Sequence, residues 1–216
     1  MTITSLNQPI AELITEAKSV STLVLFDSRV SNLNILAQAL LPGAIGFTIN
    51  TADDGLVAIS QLLVATGAKY LAIVAHGEPG MVHLGKTPIN IQQLQLHSHL
   101  LQSWGVNEIA LYSCEVAQED IGKDLIYQLS ELTGATVAAS ATKTGDPALG
   151  GNWDLAVTTG EVTAPIVFKS SALQNYQAVL AASFSTTSFP LPQAGNGPND
   201  IAVGDFNGDG DRKSVV

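Results

Sequence analysis

Short apolar runs alternate along this chain with stretches whose apolar residues recur three and four positions apart. The runs are Thr22-Leu-Val-Leu-Phe26, Ile45-Gly-Phe-Thr-Ile49, Tyr70-Leu-Ala-Ile-Val-Ala75, Glu108-Ile-Ala-Leu-Tyr112 and Ala135-Thr-Val-Ala-Ala-Ser140. Continuous rather than alternating hydrophobicity marks strands buried on both faces. The intervening stretches carry helical stripes: Ile10, Leu13, Ile14 and Ala17; Leu33, Leu36, Ala37 and Leu40; Leu56, Ile59, Leu62 and Leu63; Leu94 and Leu100; and Ile121, Leu125, Leu129 and Leu132. Ser31, Asp53 or Asp54, and Asn90 are placed to cap these helices. Pro42-Gly43, Gly67, Gly105 and Gly134 are placed to stop them. Residues 81–89 read as a small β-excursion turning at Gly85-Lys86. Residues 142–151 form a polar loop, residues 153–157 and 161–168 a hairpin around Thr158-Thr-Gly160, and residues 172–180 a closing helix.

Strict β-α alternation predicts an α/β fold. The expected form is a three-layer sandwich with a mostly parallel sheet, helices on both faces and right-handed crossovers. Four segments follow: a lead-in over 1–21, the α/β domain over 22–180, a Ser/Thr/Pro/Gly-rich linker over 181–200, and a different pattern over 201–216.

Composition narrows the partners. Of 216 residues 46% are hydrophobic, mean hydropathy is +0.26, 13% are charged and the net charge is −10. An acidic chain lacks the basic face that nucleic-acid recognition needs, and it is repelled by anionic membrane surfaces. No apolar run approaches the roughly 20 residues of a membrane span. The first residues lack the basic and apolar regions of a secretory signal, so export is expected to use another signal, lying C-terminal and outside this chain. A single cysteine excludes an internal disulfide.

The candidate chemistry lies where two strands end. His76-Gly77 follows the third run, and Ser113-Cys114 follows the fourth. In open α/β sheets the carboxyl ends of strands carry the site. A thiolate is a nucleophile and a neighbouring imidazole can take its proton. The N–H groups of Gly77 and Cys114 could bind an oxyanion, and the helix starting near Gln118 could aim its N-terminus at the thiolate. Plainer readings stand beside these. A lone cysteine at a strand end is commonly a small buried hydrophobe, and His-Gly is commonly a turn. Glu78, Asp146 and Asp154 could line a substrate pocket that prefers a basic residue, or be solvated loop acids. Asp27 and Arg29, leaving the first strand, could brace the site or pair with each other. His83, His97 and His99 look incidental. No zinc pattern, phosphate-binding loop or nucleophile elbow is present.

Ala75-His76-Gly77 and Tyr112-Ser113-Cys114 resemble the layout of the caspase, gingipain and separase clan of cysteine peptidases, in which the His follows the third core strand and the Cys the fourth. Val24-Leu-Phe-Asp-Ser-Arg29, His76-Gly-Glu-Pro-Gly80, Leu111-Tyr-Ser-Cys-Glu-Val-Ala117, Leu132-Thr-Gly-Ala135 and Leu149-Gly-Gly-Asn-Trp-Asp-Leu155 resemble a bacterial domain-of-unknown-function family, number 4347. That family sits near the N-terminus of very large surface or secreted repeat proteins. The resemblance implies a caspase-like or flavodoxin-like domain without a cofactor. Cys114 would be nucleophile, His76 general base and acid, and Gly77 an oxyanion contributor. The substrate would be a peptide segment of the parent protein or a surface partner, and the location extracellular or at the cell surface. A catalytically silent interaction or adhesion module is the rival.

Asp205, Asn207 and Asp209, with Gly210, place oxygen ligands at alternate positions around a glycine turn, the opening of a calcium loop. With Ile201-Ala-Val-Gly204 they resemble an integrin-type (FG-GAP/VCBS) propeller repeat. Lys213 stands where an acid is expected, and one repeat cannot bury its own face. Weak or no calcium binding and a disordered tail are therefore expected here, with calcium belonging to a full-length repeat region. Asp211-Arg-Lys-Ser-Val-Val216 departs from the repeat pattern and looks like a translated sequencing adaptor. We expect resequencing of the locus to continue the repeat beyond Asp211; a genuine stop after Val216 would contradict this.

Overall fold

The apolar runs pair side by side at the centre of the molecule. The computed structural model describes residues 4–5, 20–163, 167–181, 202–204 and 213–215. The expected helix at 9–18 and the loop residues Asp205, Asn207 and Asp209 lie outside the described residues. The elements are β1 (Thr4–Ser5), β2 (Thr22–Asp27), α1 (Leu33–Ala39), β3 (Ala44–Ile49), α2 (Gly55–Thr66), β4 (Tyr70–Val74), β5 (His76–Glu78), β6 (Met81–His83), α3 (Ile91–Leu96), α4 (Ser98–Leu101), β7 (Glu108–Tyr112), α5 (Glu119–Thr133), β8 (Thr136–Ala139), β9 (Val157–Thr158), α6 (Ser170–Leu173), β10 (Ala202–Gly204) and β11 (Lys213–Val215). A short 3-10 turn spans Pro147–Leu149.

The main sheet has the order β1-β3-β2-β4-β7-β8-β9. Its strands run parallel except β9, which is antiparallel to β8. The expected three-layer α/β sandwich is thus observed. Leu23, Leu25, Leu71, Ile73, Ile109 and Leu111 point into one core, beneath α2, α3, α4 and α5. Val24, Phe26, Ala72, Val74 and Tyr112 point into the other, with residues of α1 and α6. Strands buried on both faces explain why the runs do not alternate.

Two compact units are present, Met1–Ser183 and Phe184–Val216. In the second, β10 and β11 form an antiparallel pair, within a tail expected to be disordered.

Several local expectations change. Asn32, not Ser31, precedes α1, in the left-handed region at φ 52 and with no side-chain cap; Asn tolerates that conformation better than most residues. Asp54 does cap α2, its carboxylate accepting from the Val57 N–H at 3.2 Å. The buried face of α5 is Gly122, Leu125, Ile126 and Leu129, while Ile121 is 52% exposed. The spacing i, i+3, i+4, i+7 is kept, but it starts at a glycine that sequence patterning scores as neutral. Among the described residues of the expected hairpin, Val157–Thr158 alone forms a strand of the sheet. Trp153 is instead drawn into an aromatic cluster, 5.4 Å from Tyr176, 5.7 Å from Phe168 and 6.2 Å from Tyr112 between ring centroids. The closing helix is also shorter than expected. It ends at Leu173, and the chain then runs on to Ala181 as an irregular strap. Leu173, Tyr176 and Leu180 are all buried, so a strap reproduces the spacing of a helix.

Gly122 lets α5 sit directly on the loop after β7. A Cβ there would meet the Val116 carbonyl oxygen and lie 2.7 Å from the Ala117 carbonyl carbon. Alanine should gain up to about 1 kcal/mol in helix propensity, yet overpacking against backbone costs about 1–3 kcal/mol. We expect Gly122→Ala to lower the urea midpoint; an unchanged or raised midpoint would show that α5 shifts freely.

Candidate functional site

The carboxyl edge of the sheet is held together first by Asp27 and Arg29. Asp27 is fully buried at the end of β2. Its carboxylate accepts from Arg29 Nε at 2.6 Å and Nη2 at 2.8 Å, and from the backbone N–H groups of Arg29 at 2.9 Å and Gly85 at 2.8 Å. Arg29 Nη2 also donates to the carbonyls of His83 at 3.1 Å and Gly85 at 3.0 Å. A planar guanidinium matches a carboxylate in this two-pronged way and a lysine cannot. The hydrogen bonds and charge of Asp27 outweigh partial burial and raise the Arg29 pKa above its ordinary value. Of the two sequence readings of this pair, the structure shows that the residues pair with each other.

The brace also sets His76. Its Nε2 lies 3.1 Å from the Arg29 carbonyl oxygen. A carbonyl can only accept, so in the neutral ring Nε2 carries the proton and Nδ1 carries the lone pair. That Nδ1 is buried and has no hydrogen-bond partner. A bare basic nitrogen is therefore held in a fixed tautomer at the edge.

Register brings the exit of β7, which carries Cys114, to the same edge. Val74 and Tyr112 are direct partners in the β4–β7 ladder. His76 and Cys114 each stand two residues further on, and Cys114 lies in the second core. Glu115, with φ 59, and Glu119, with φ 58, then turn the chain back into α5.

The thiol is closed in. Cys114 is fully buried. Its Sγ accepts from the Thr144 N–H at 3.1 Å and donates to the Thr144 carbonyl at 3.6 Å. Desolvation raises its pKa despite the hydrogen bonds from Thr144 and Leu180 and the charge of Lys143. The resting group is a protonated thiol. Tyr176 is near enough for the Cys114 charge to raise its phenol pKa, after desolvation, and its hydroxyl is buried without a partner.

Gly77 completes the edge. Its N–H donates to the Leu180 carbonyl oxygen at 3.0 Å, and the Cys114 N–H donates to the same oxygen at 3.4 Å. A Cβ on Gly77 would lie 2.7 Å from Ser113 Cβ and 2.7 Å from Val116 Cγ2, so only glycine lets the two strand exits approach this closely.

The suggested pocket acids are not gathered here. Glu78 bonds His83 Nε2 at 3.1 Å across the β5–β6 pair. The Asp146 side chain accepts from the Ala148 N–H at 2.9 Å, capping the 3-10 turn. Asp154 lines a cavity of about 360 Å³ with Tyr70, Glu108 and Thr136, the first residues of β4, β7 and β8. That cavity extends to the amino ends of the strands. Thr144, Leu180 and the Arg29 carbonyl were missed in sequence. All three act through backbone atoms, which no residue identity reports. No group of three or more His, Cys, Asp or Glu among the described residues could hold a metal ion, and no helix there is long and apolar enough to cross a membrane.

The sheet defines a mostly parallel α/β domain, and the candidate site lies at the carboxyl ends of its strands. The chain belongs to the family described as Domain of unknown function (DUF4347), whose profile matches residues 23–180. No curated protein matches it.

Burial of these hydroxyl and thiol groups makes stability pH-dependent. Desolvation pushes the Tyr112 phenol up to about 12, and raises Tyr176 and Cys114 as well. Unfolded tyrosine titrates near ~10 and cysteine near ~8.5. Above those values the unfolded chain has lost protons that the native chain still holds, so stability falls with rising pH. It should be complete below pH ~8 and fall progressively to pH ~12, with a shallower decline in Tyr176→Phe. Thermal melts across that range check this; a flat Tm would mean these groups are hydrated in solution.

Proposed function

We propose that this is a caspase-like His/Cys peptidase domain held in a latent state, at the head of a large bacterial surface or secreted repeat protein. The observation that carries the reading is the convergence of the Gly77 and Cys114 N–H groups on one carbonyl oxygen, next to a buried thiol. Two backbone donors aimed at one oxygen are what a developing oxyanion needs. In the proposed mechanism His76 Nδ1 takes the Cys114 proton while the Arg29 carbonyl holds Nε2–H and stabilises the imidazolium. The thiolate adds to a substrate carbonyl whose oxygen sits between the two N–H groups. His76 then gives the proton to the leaving amine, and water, deprotonated by the same ring, hydrolyses the thioester. No cofactor enters these steps. The substrate is a peptide segment of the parent protein or of a surface partner. The proposed setting is extracellular, with any calcium at the repeat region that begins around Asp205, Asn207 and Asp209.

The second reading is a silent interaction module, favoured by the complete burial of Cys114 and its satisfaction by Thr144. Alkylation separates the two. Leu180→Asp places a charge where none can stay buried and should open the strap. In that variant, shown to be folded by circular dichroism, iodoacetamide should label Cys114 at least about tenfold faster than in wild type. The apparent pKa should fall below the unperturbed ~8.5, and adding His76→Ala should remove both effects. Labelling only on denaturation, in both backgrounds, would establish the silent module.

A further inference from the structure

The carbonyl between the two N–H groups belongs to the chain itself. Residues 178–181 run through the edge as an extended peptide. The Asp146 N–H donates to the Ala178 carbonyl at 2.8 Å, and the Leu180 N–H donates to the Thr144 carbonyl at 2.8 Å. Bridges join Val179 to Gly145 in antiparallel sense and Ala181 to Gly77 in parallel sense. The strap is therefore held between the Thr144 loop on one side and the His76-Gly77 exit on the other. Leu180 is the residue at its centre, fully buried in the same apolar cluster as Cys114. Ala181 is only half-buried.

We propose that Leu180–Ala181 is a peptide bond this site cuts in its own chain, and that the strap is both the substrate and the plug of the latent domain. This rests on the peptidase reading above. A strap that merely closed the fold could hydrogen-bond anywhere along the edge. This one presents its carbonyl to the two donors that flank the nucleophile, and the Cys114 thiol and the Leu180 N–H share one acceptor, the Thr144 carbonyl. The family match also ends at Leu180, so a cut after it separates the domain from everything that follows.

The step balances with water as the only co-reactant. Cys114 Sγ bonds to the Leu180 carbonyl carbon, its proton passing to His76 Nδ1. The carbon–nitrogen bond to Ala181 breaks, and Ala181 leaves as an amine carrying that proton. Water then cleaves the Leu180 thioester, leaving a Leu180 carboxylate and a restored thiol. The buried leucine also defines the substrate class. The residue before the cut is a medium-sized apolar side chain rather than the basic one that Glu78, Asp146 and Asp154 would favour.

The test uses the 216-residue chain, purified and followed by intact mass over hours to days. One cut is expected, giving residues 1–180 and a peptide beginning at Ala181. Hydroxylamine should convert part of the new terminus to a Leu180 hydroxamate, because it intercepts a thioester. Cys114→Ala, His76→Ala and Leu180→Asp should abolish the cut. Leu180→Met, similar in volume and flexibility, should retain it within about tenfold. A chain that stays intact, or is cut elsewhere, overturns the inference. The peptidase reading survives that result if Cys114 still becomes reactive, with His76-dependent labelling, when the strap is opened. If labelling also fails, both fall.

Discussion

The parallel pairing of β4 with β7 is the constraint on which the rest of this site depends. Once Val74 lies opposite Tyr112, the two residues beyond each strand leave the same edge at the same height. His76 and Cys114 are 38 positions apart in sequence, and no local structure could bring them to one edge. A slip of one residue in either strand would send its exit residue to the opposite face, because the pleat alternates. Both strands are buried on both faces, which makes such a slip expensive and the register secure.

On that frame the polar parts form a short chain of dependence. Buried Asp27 must be paired, since an isolated carboxylate in an apolar layer costs several kcal/mol. Arg29 and the Gly85 N–H pair it. Fixing the Arg29 backbone aims its carbonyl at His76 Nε2, and that single acceptor decides which imidazole nitrogen is left bare. The resulting orphan Nδ1 is the kind of unsatisfied buried group that stable proteins normally avoid. It stands at the carboxyl edge, on the strand exit beside the one that carries the thiol.

Reactivity and burial pull in opposite directions at Cys114. The Thr144 and Leu180 contacts favour a thiolate, and desolvation, the larger influence, favours the thiol. What excludes water there includes the strap of residues 178–181, whose Leu180 carbonyl occupies both nearby N–H donors. The state of the cysteine is thus tied to the position of the strap rather than to its own sequence neighbours. The residues flanking Leu180 in the strap are half-buried, and segments of that kind open more readily than a sheet core.

The amino-acid sequence by itself determined the α/β class, the order of the core elements and the placing of His76, Gly77 and Cys114 at strand exits. Those properties follow from hydrophobic period and from the neighbours each residue has along the chain. It misplaced what depends on backbone atoms and on distant partners. The stripe of α5 was read from Ile121 because Gly122 has no side chain to count. Leu173, Tyr176 and Leu180 were read as a helix because a strap laid into a groove buries residues at a similar spacing. Tertiary structure alone decided that the Arg29 carbonyl orients His76, that Thr144 caps the thiol, and that Leu180 lies between two N–H groups. Carbonyls and amides are the same in every residue, so only the folded arrangement says where they point.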